Sequence, residues 1–143
     1  MRKTATVIAC GLTMLCGCSR EHYVQGRGDA GRFILEKAVA YGGHPVMTNG
    51  LPTISGDWQY VEDEFGVGIQ LSAESYSSVE TYLCSAFGSP TSQAGWSVRD
   101  TGIAIYLQRA GTNTQLGIHP PMSEAQQARM ARKIADTLKK NTQ

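Results

Sequence analysis

The chain has 143 residues, 41% of them apolar and 17% charged, with 13 Lys/Arg against 12 Asp/Glu and a formal net charge of +1. This composition excludes a collagen-like or intrinsically disordered chain, and the length allows one domain. A charge balance this close to zero lacks the basic excess that marks nucleic-acid binding, so no nucleic-acid partner is expected.

Arg2 and Lys3 form a short basic head, and the following run from Thr4 to Leu15 carries no charge. Twelve mildly apolar residues are too few for a spanning helix, which needs about 20. They fit the core of an export signal. Leu15-Cys16-Gly17-Cys18 comes next. This segment resembles the lipobox of bacterial lipoproteins: an aliphatic residue, a loose position, a small residue, then cysteine. A thiol is the soft nucleophile that takes a diacylglyceryl group as a thioether, and small residues before it leave the backbone open to the signal peptidase. The resemblance covers residues 1–19. It implies a signal peptide over residues 1–17, cleaved, and lipidation of Cys18 by diacylglycerol and an N-acyl chain such as palmitate. Ser19, rather than Asp, in the next position implies an outer-membrane lipoprotein facing the periplasm, in a host that has such a membrane. No cofactor beyond these covalent chains is expected.

Cleavage would remove Arg2, Lys3, Cys10 and Cys16, leaving 126 residues with 11 Lys/Arg against 12 Asp/Glu. Cys84 would then be the one free thiol, so no intramolecular disulfide could form and stability would rest on packing.

Residues 19–30 are polar, with glycines at 26 and 28. Residues 18–30 therefore read as a lipidated flexible tether, and residues 31–143 as a single domain. Phe33, Ile34, Lys37, Ala38 and Tyr41 follow helical spacing, which predicts a helix over 31–41 ended by Gly42-Gly43 and His44-Pro45. Pro45 to Gly56 reads as loop. Trp58 and Tyr60, then Val67, Ile69 and Leu71, alternate with polar or small residues, as in strands. The phase slips across Glu62-Asp63-Glu64-Phe65-Gly66, where a turn or bulge belongs. Ser72 is a candidate N-cap for a helix whose Tyr76, Val79, Leu83 and Phe87 share one face. Gly88 and Pro90 end it.

Trp96 and Val98 alternate, Asp100-Thr101-Gly102 turns the chain, and Ile103, Ile105 and Leu107 form the clearest strand. After Gly111-Thr112-Asn113, Leu116 and Ile118 form the last one. Ser123 and Gln126 have the spacing of a capping box. In the helix that follows, Ala128, Ala131, Ile134, Ala135 and Leu138 fall on one side, expected to lie close on a sheet. Arg129, Arg132, Lys133, Lys139 and Lys140 fall on the other. The sum is an α+β domain: an antiparallel sheet of four or five strands with two or three helices, at least two packed on one face and the last C-terminal.

Chemistry-bearing motifs are sparse. His22, His44 and His119 lack the companions of a metal site and read as exposed loop residues. Gly-x-Ser-x-Gly and Ser-x-x-Lys are absent from the sequence, and Gly66-Val67-Gly68 lies within a strand pattern rather than a dinucleotide loop. Glu62-Asp63-Glu64 reads as a solvated turn, since the alternating oxygens of a calcium loop are missing. Trp58, Tyr60, Trp96 and Tyr106 read as core filling before an exposed binding cluster. Cys84 reads as a partly buried bystander.

Charge segregation is the least random feature. Residues 38–98 carry six acidic side chains and neither Lys nor Arg, whereas residues 99–143 hold seven basic and three acidic ones. The first reading is self-complementary charge within one compact domain. The second is a pair of binding surfaces: Glu62, Asp63 and Glu64 for a basic partner, and Arg129, Arg132, Lys133, Lys139 and Lys140 for phospholipid, lipopolysaccharide or peptidoglycan.

The expected role is that of a membrane-anchored, non-enzymatic binding or scaffold module of the cell envelope, its partner a protein or a cell-wall polymer. The alternative is an inhibitor or immunity lipoprotein acting on a lytic enzyme or an incoming agent. Ser55-Gly56-Asp57-Trp58-Gln59-Tyr60 resembles the Ser-Gly-x-x-Tyr segment of periplasmic lysozyme inhibitors. The tyrosine is one residue late, and those proteins are β-barrels without a terminal helix. A hydrolase ranks last, for want of a recognisable nucleophile and base.

Overall fold

The structure is a computed structural model that describes residues 23–91, 95–98 and 101–141. Residues 1–17, Cys18 and His22 therefore lie outside the described residues, as does Asp100 of the expected turn.

Two hairpins build the centre of the sheet. Trp58–Asp63 (β2) and Gly66–Ser72 (β3) pair with Asp63 opposite Gly66, so the phase slip seen in the sequence is a tight turn at Glu64-Phe65. Gly66 has φ +138°, and a Cβ there would run into the backbone carbonyl of Ile118, so only glycine fits. Ile103–Ala110 (β5) and Asn113–His119 (β6) form the second hairpin, turning at Gly111-Thr112. β3 pairs with β6, and Gly95–Val98 (β4) closes the far edge against β5. Val24–Gln25 (β1) closes the near edge against β2. The result is a six-stranded antiparallel sheet in the order β1-β2-β3-β6-β5-β4.

Register keeps the apolar phase of every strand on one face. Ile69, Leu116 and Leu107 lie side by side, as do Val67, Ile118, Ile105 and Trp96. Ala30–Ala40 (α1) and Tyr76–Phe87 (α2) cover this face through Ile34, Val79, Leu83 and Ala86, forming the main core. Each fully buried branched side chain stabilises by roughly 1.5–3 kcal/mol. α1 starts at Asp29, whose Oδ1 accepts from Gly31 N and Ile54 N at 2.9 Å each. One carboxylate thus caps the helix and pins the 41–57 loop, whose Ile54 is buried in the core. A single 3-10 turn, Ala73–Ser75, precedes α2. Ser72 caps neither: its hydroxyl meets Ser75 Oγ at 3.1 Å.

The last helix, Glu124–Asn141 (α3), opens with the expected capping box. Ser123 N donates to Gln126 Oε1 at 2.9 Å, and Gln126 N donates to Ser123 Oγ at 3.2 Å. It packs apart from α1 and α2, in a second small core of Phe65, Met130 and Ile134 with Met122.

Four expectations are corrected. The sheet has six strands rather than four or five, because part of the supposed tether is β1. Gly26 is a glycine because it lies flat against Trp58, where a Cβ would strike the indole ring; the glycine signals close approach, not flexibility. Gly26 N donates to Trp58 O at 2.7 Å and Trp58 Nε1 to Gly28 O at 3.1 Å, fastening the segment down. α3 buries Met130, Ile134 and Thr137, while Ala128, Ala131, Ala135 and Leu138 are exposed. The helix is thus rolled by roughly a quarter turn from the alanine-face expectation, at 100° per residue. Bulky Met130 and Ile134 reach Phe65 where alanine methyls would leave a gap. Cys84 is exposed rather than partly buried.

Candidate functional site

Consecutive strand residues point to opposite faces, and the acidic run uses this. Glu62 points to the α1 side, where Lys37 Nζ lies 3.0 and 2.9 Å from its two oxygens and Tyr41 OH donates at 3.2 Å. Burial, with Glu62 second, pushes the Tyr41 hydroxyl up to about 12. Asp63 points to the opposite face, where its Oδ2 takes Lys133 Nζ of α3 at 3.0 Å. Its Oδ1 accepts from Phe65 N at 2.8 Å, which shapes the turn. Glu64, at the tip, meets Arg129 Nε at 3.4 Å. Of the eight charged residues singled out as binding surfaces, Glu62, Asp63, Glu64, Arg129 and Lys133 therefore make ion pairs within the domain, Asp63 with Lys133 and Glu64 with Arg129. Arg132, Lys139 and Lys140 stay exposed on α3.

His119 is not a loop residue. It ends β6 with only 3% of its surface exposed. Its Nδ1 lies 2.8 Å from the Phe65 carbonyl, which can only accept, so the proton sits on Nδ1. Nε2 is buried without a partner among the described residues, and the Tyr106 ring stands edge-on with centroids 5.8 Å apart. Burial lowers the His119 pKa below 6.5, against the opposing pull of the Phe65 carbonyl and Asp63. Burial likewise raises that of Tyr106. His44 is exposed in its loop. Among the described residues no three His, Cys, Asp or Glu side chains converge as metal ligands.

The face opposite α1 and α2 carries a feature that sequence reasoning passed over. Gln25 pairs with Gln59, Gln59 with Gln70, Gln70 with Gln115, and Gln115 with Gln108. Five glutamines thus form one row across five adjacent strands, about 4.8 Å apart. Gln108 Nε2 donates to Gln115 Oε1 at 3.1 Å, and Gln25 Nε2 to Trp58 O at 3.1 Å. Gln59 and Gln70, in the middle, are half-buried. The next row along the strands toward the β2–β3 turn is Val61, Gly68, Gly117 and Tyr106. Here Val61 and the two glycines are buried, and the Tyr106 ring beside them is half-buried. No charged side chain stands in either row. Each glutamine occupies the polar phase of its strand, so the sequence held a signal, but one visible only once strand order is known.

Trp58 and Trp96 are core residues, as expected. Tyr60 packs against Phe33 with the rings tilted by 41° and centroids 4.7 Å apart. The Ser55–Tyr60 segment therefore runs into the packed sheet, leaving Ser55, Gly56 and Asp57 exposed. No family model, curated protein or solved structure matches the chain.

Proposed function

We propose that this protein is a lipid-anchored, non-enzymatic binding module of the bacterial cell envelope, holding an uncharged wall glycan on the glutamine row. The lipobox residues Leu15-Cys16-Gly17-Cys18 support the anchor. The observation that carries the binding role is the row itself. Primary amides donate and accept at once, so a line of them matches sugar hydroxyls and acetamido groups without needing charge. Tyr106, half-buried in the neighbouring row, offers its ring to the apolar side of a sugar. Such surfaces bind modestly, since each amide hydrogen bond contributes about 0.5–1.5 kcal/mol net.

Calorimetric titration of the purified protein with neutral β-1,4-linked N-acetylglucosamine oligomers tests the reading. Saturable binding is expected, weakened about tenfold or more by Gln59→Ala with Gln70→Ala, with an unchanged melting temperature. Absence of saturable binding to the wild type overturns it, and recovery of a wall-lytic enzyme on the immobilised protein would favour the inhibitor reading instead.

A further inference from the structure

We infer that Val39, Val46 and Met47 form an apolar tip that seats in the headgroup region of a lipid bilayer beside acylated Cys18; this rests on the lipid-anchor reading above.

Contacts place this tip at one end of the sheet. α1 runs along β2, with Phe33 against Trp58 and Tyr60, then Lys37 and Tyr41 on Glu62. Its last turn, which carries Val39, therefore lies at the Asp63 end of β2. Asp63 is opposite Gly66, Val67 opposite Ile118 and Ala104 opposite His119, so β5 begins at this same end. The loop that leaves α1 stays there. Gly43 lies against the side chain of Ile103, and Val46 N donates to Ala86 O of α2 at 2.7 Å. β1 points to that end as well. It is antiparallel to β2 with Val24 opposite Tyr60, so traced back toward Cys18 it heads for the level of Asp63, three residues or roughly 10 Å away. Cys18 lies six residues before Val24, a reach of at most roughly 21 Å. An acylated Cys18 thus keeps this end of the sheet next to the lipid. The sheet stands on its end, with the glutamine row facing sideways on the side away from α1.

The chemistry of the tip fits such a neighbour. Of the five large apolar side chains exposed among the described residues, three are these: Val39 at 50%, Val46 at 76% and Met47 at 46%. Residues 38–56 carry no Asp, Glu, Lys or Arg, and neither do residues 81–98, which include Ala86. Lipid can therefore approach without stripping water from a charge, the step that makes burial costly. Gly42 N and Gly43 N donate to Val39 O and Ala38 O at 2.9 and 2.8 Å, so the loop leaves the helix on a fixed path. Little ordering is left to oppose insertion. Backbone groups without internal partners do not enter hydrocarbon, so the side chains seat while the loop backbone stays among hydrated headgroups. Burial of apolar area drives the contact rather than charge. The acidic side chains of the neighbouring β2–β3 turn are already paired, Glu62 with Lys37, Asp63 with Lys133 and Glu64 with Arg129.

The test uses the full mature chain with its acyl groups, reconstituted in phosphatidylcholine vesicles with or without phosphatidylglycerol. A fluorophore on Met47→Cys, in a Cys84→Ser background, reports the tip. The same fluorophore on Asp57→Cys, in that background, reports the opposite end of β2. Quenching by lipid spin-labelled near its headgroup is expected at position 47 and not at 57, equally strong with and without phosphatidylglycerol. It should be lost in Val39→Asp with Val46→Asp, while the protein stays in the vesicle pellet; both side chains are exposed, so folding should be little affected. No quenching at 47, equal quenching at both positions, quenching that needs phosphatidylglycerol, or quenching that survives the two aspartates overturns the inference. So does a label at 47 that is shielded from water yet unquenched, which would mean that a protein covers the tip. The anchor is read separately: a mass spectrum with unmodified Cys18 sinks the anchor reading, whereas acylated Cys18 with an unquenched label at 47 sinks only the tip contact.

Discussion

Glu62 and Asp63 are neighbours in the chain, yet they hold lysines on opposite faces of the sheet: Lys37 of α1 on one side and Lys133 of α3 on the other. β2 is in this way tied through its last two residues to both helical layers. The ties differ in weight. Asp63 also accepts Phe65 N, and its side chain is 25% exposed, against 54% for Glu64. Exposed ion pairs contribute about 0–1 kcal/mol, whereas a hydrogen bond to a charged group contributes about 1.5–3 kcal/mol. Urea unfolding should therefore show Asp63→Ala losing about 2 kcal/mol and Glu64→Ala less than about 1 kcal/mol. Equal losses would mean that the turn does not depend on the Asp63 carboxylate.

His119 makes stability depend on pH. Its pKa in the folded state is lowered by burial, while in the unfolded chain it is about 6.5. The unfolded state therefore takes up the proton first, and stability falls as pH drops below about 6.5 toward the lowered folded value, at up to about 1.4 kcal/mol per pH unit. Above 6.5 this residue contributes no slope. Melting temperatures measured between about pH 7.5 and 5 should fall in the wild type, and less steeply in His119→Gln. An identical slope in both proteins would assign the acid sensitivity elsewhere.

Gly26→Ala should loosen β1, because the new methyl group would occupy the position of the Trp58 ring. Overpacking of this kind typically costs about 1–3 kcal/mol. Here the strain can be relieved by releasing an edge strand of two residues, so the damage should be local. Limited proteolysis between Tyr23 and Asp29 should quicken several-fold, with Trp58 fluorescence shifted to the red. A Gly26→Ala protein that resists the protease as the wild type does would mean that the contact with Trp58 is slack.

Cys18→Ala should leave an unprocessed or soluble precursor, since no other cysteine stands at the lipobox acceptor position. Fractionation of cells, with mass spectrometry of the mature N-terminus, reads the outcome. A native protein with bare Cys18 would remove the anchor.

Strand periodicity made the central sheet legible: Ile103, Ile105 and Leu107 alternate because β5 has one wet side, and Val67, Ile69 and Leu71 match them in β3. The capping box at Ser123 and Gln126 was legible because both partners lie within one turn. β1 was not, since two residues held by main-chain hydrogen bonds leave no side-chain pattern, and Gly26 looks the same in a tether as under an indole. The roll of α3 was misjudged because the wheel weighed alanines equally with Met130, although only long side chains reach Phe65. Local pattern likewise hid the candidate site: the glutamine row is assembled from five strands spread over residues 25–115, so it exists only in the folded register.

The placement of β1 has a mechanical consequence. On the proposed function, a lipid anchor and a bound polymer would pull on the domain in opposite senses, and the load would enter at Tyr23, along the axis of β1. Force in that direction shears the β1–β2 pairing, loading its hydrogen bonds together with the Gly26–Trp58 bond, instead of opening them one after another. Beyond them the Asp29 carboxylate, bonded to both Gly31 and Ile54, passes tension into α1 and the core. A link at the opposite, β4 edge would unzip under the same pull. A membrane anchor attached there would load the β1–β2 hydrogen bonds in shear rather than peel the sheet from its rim.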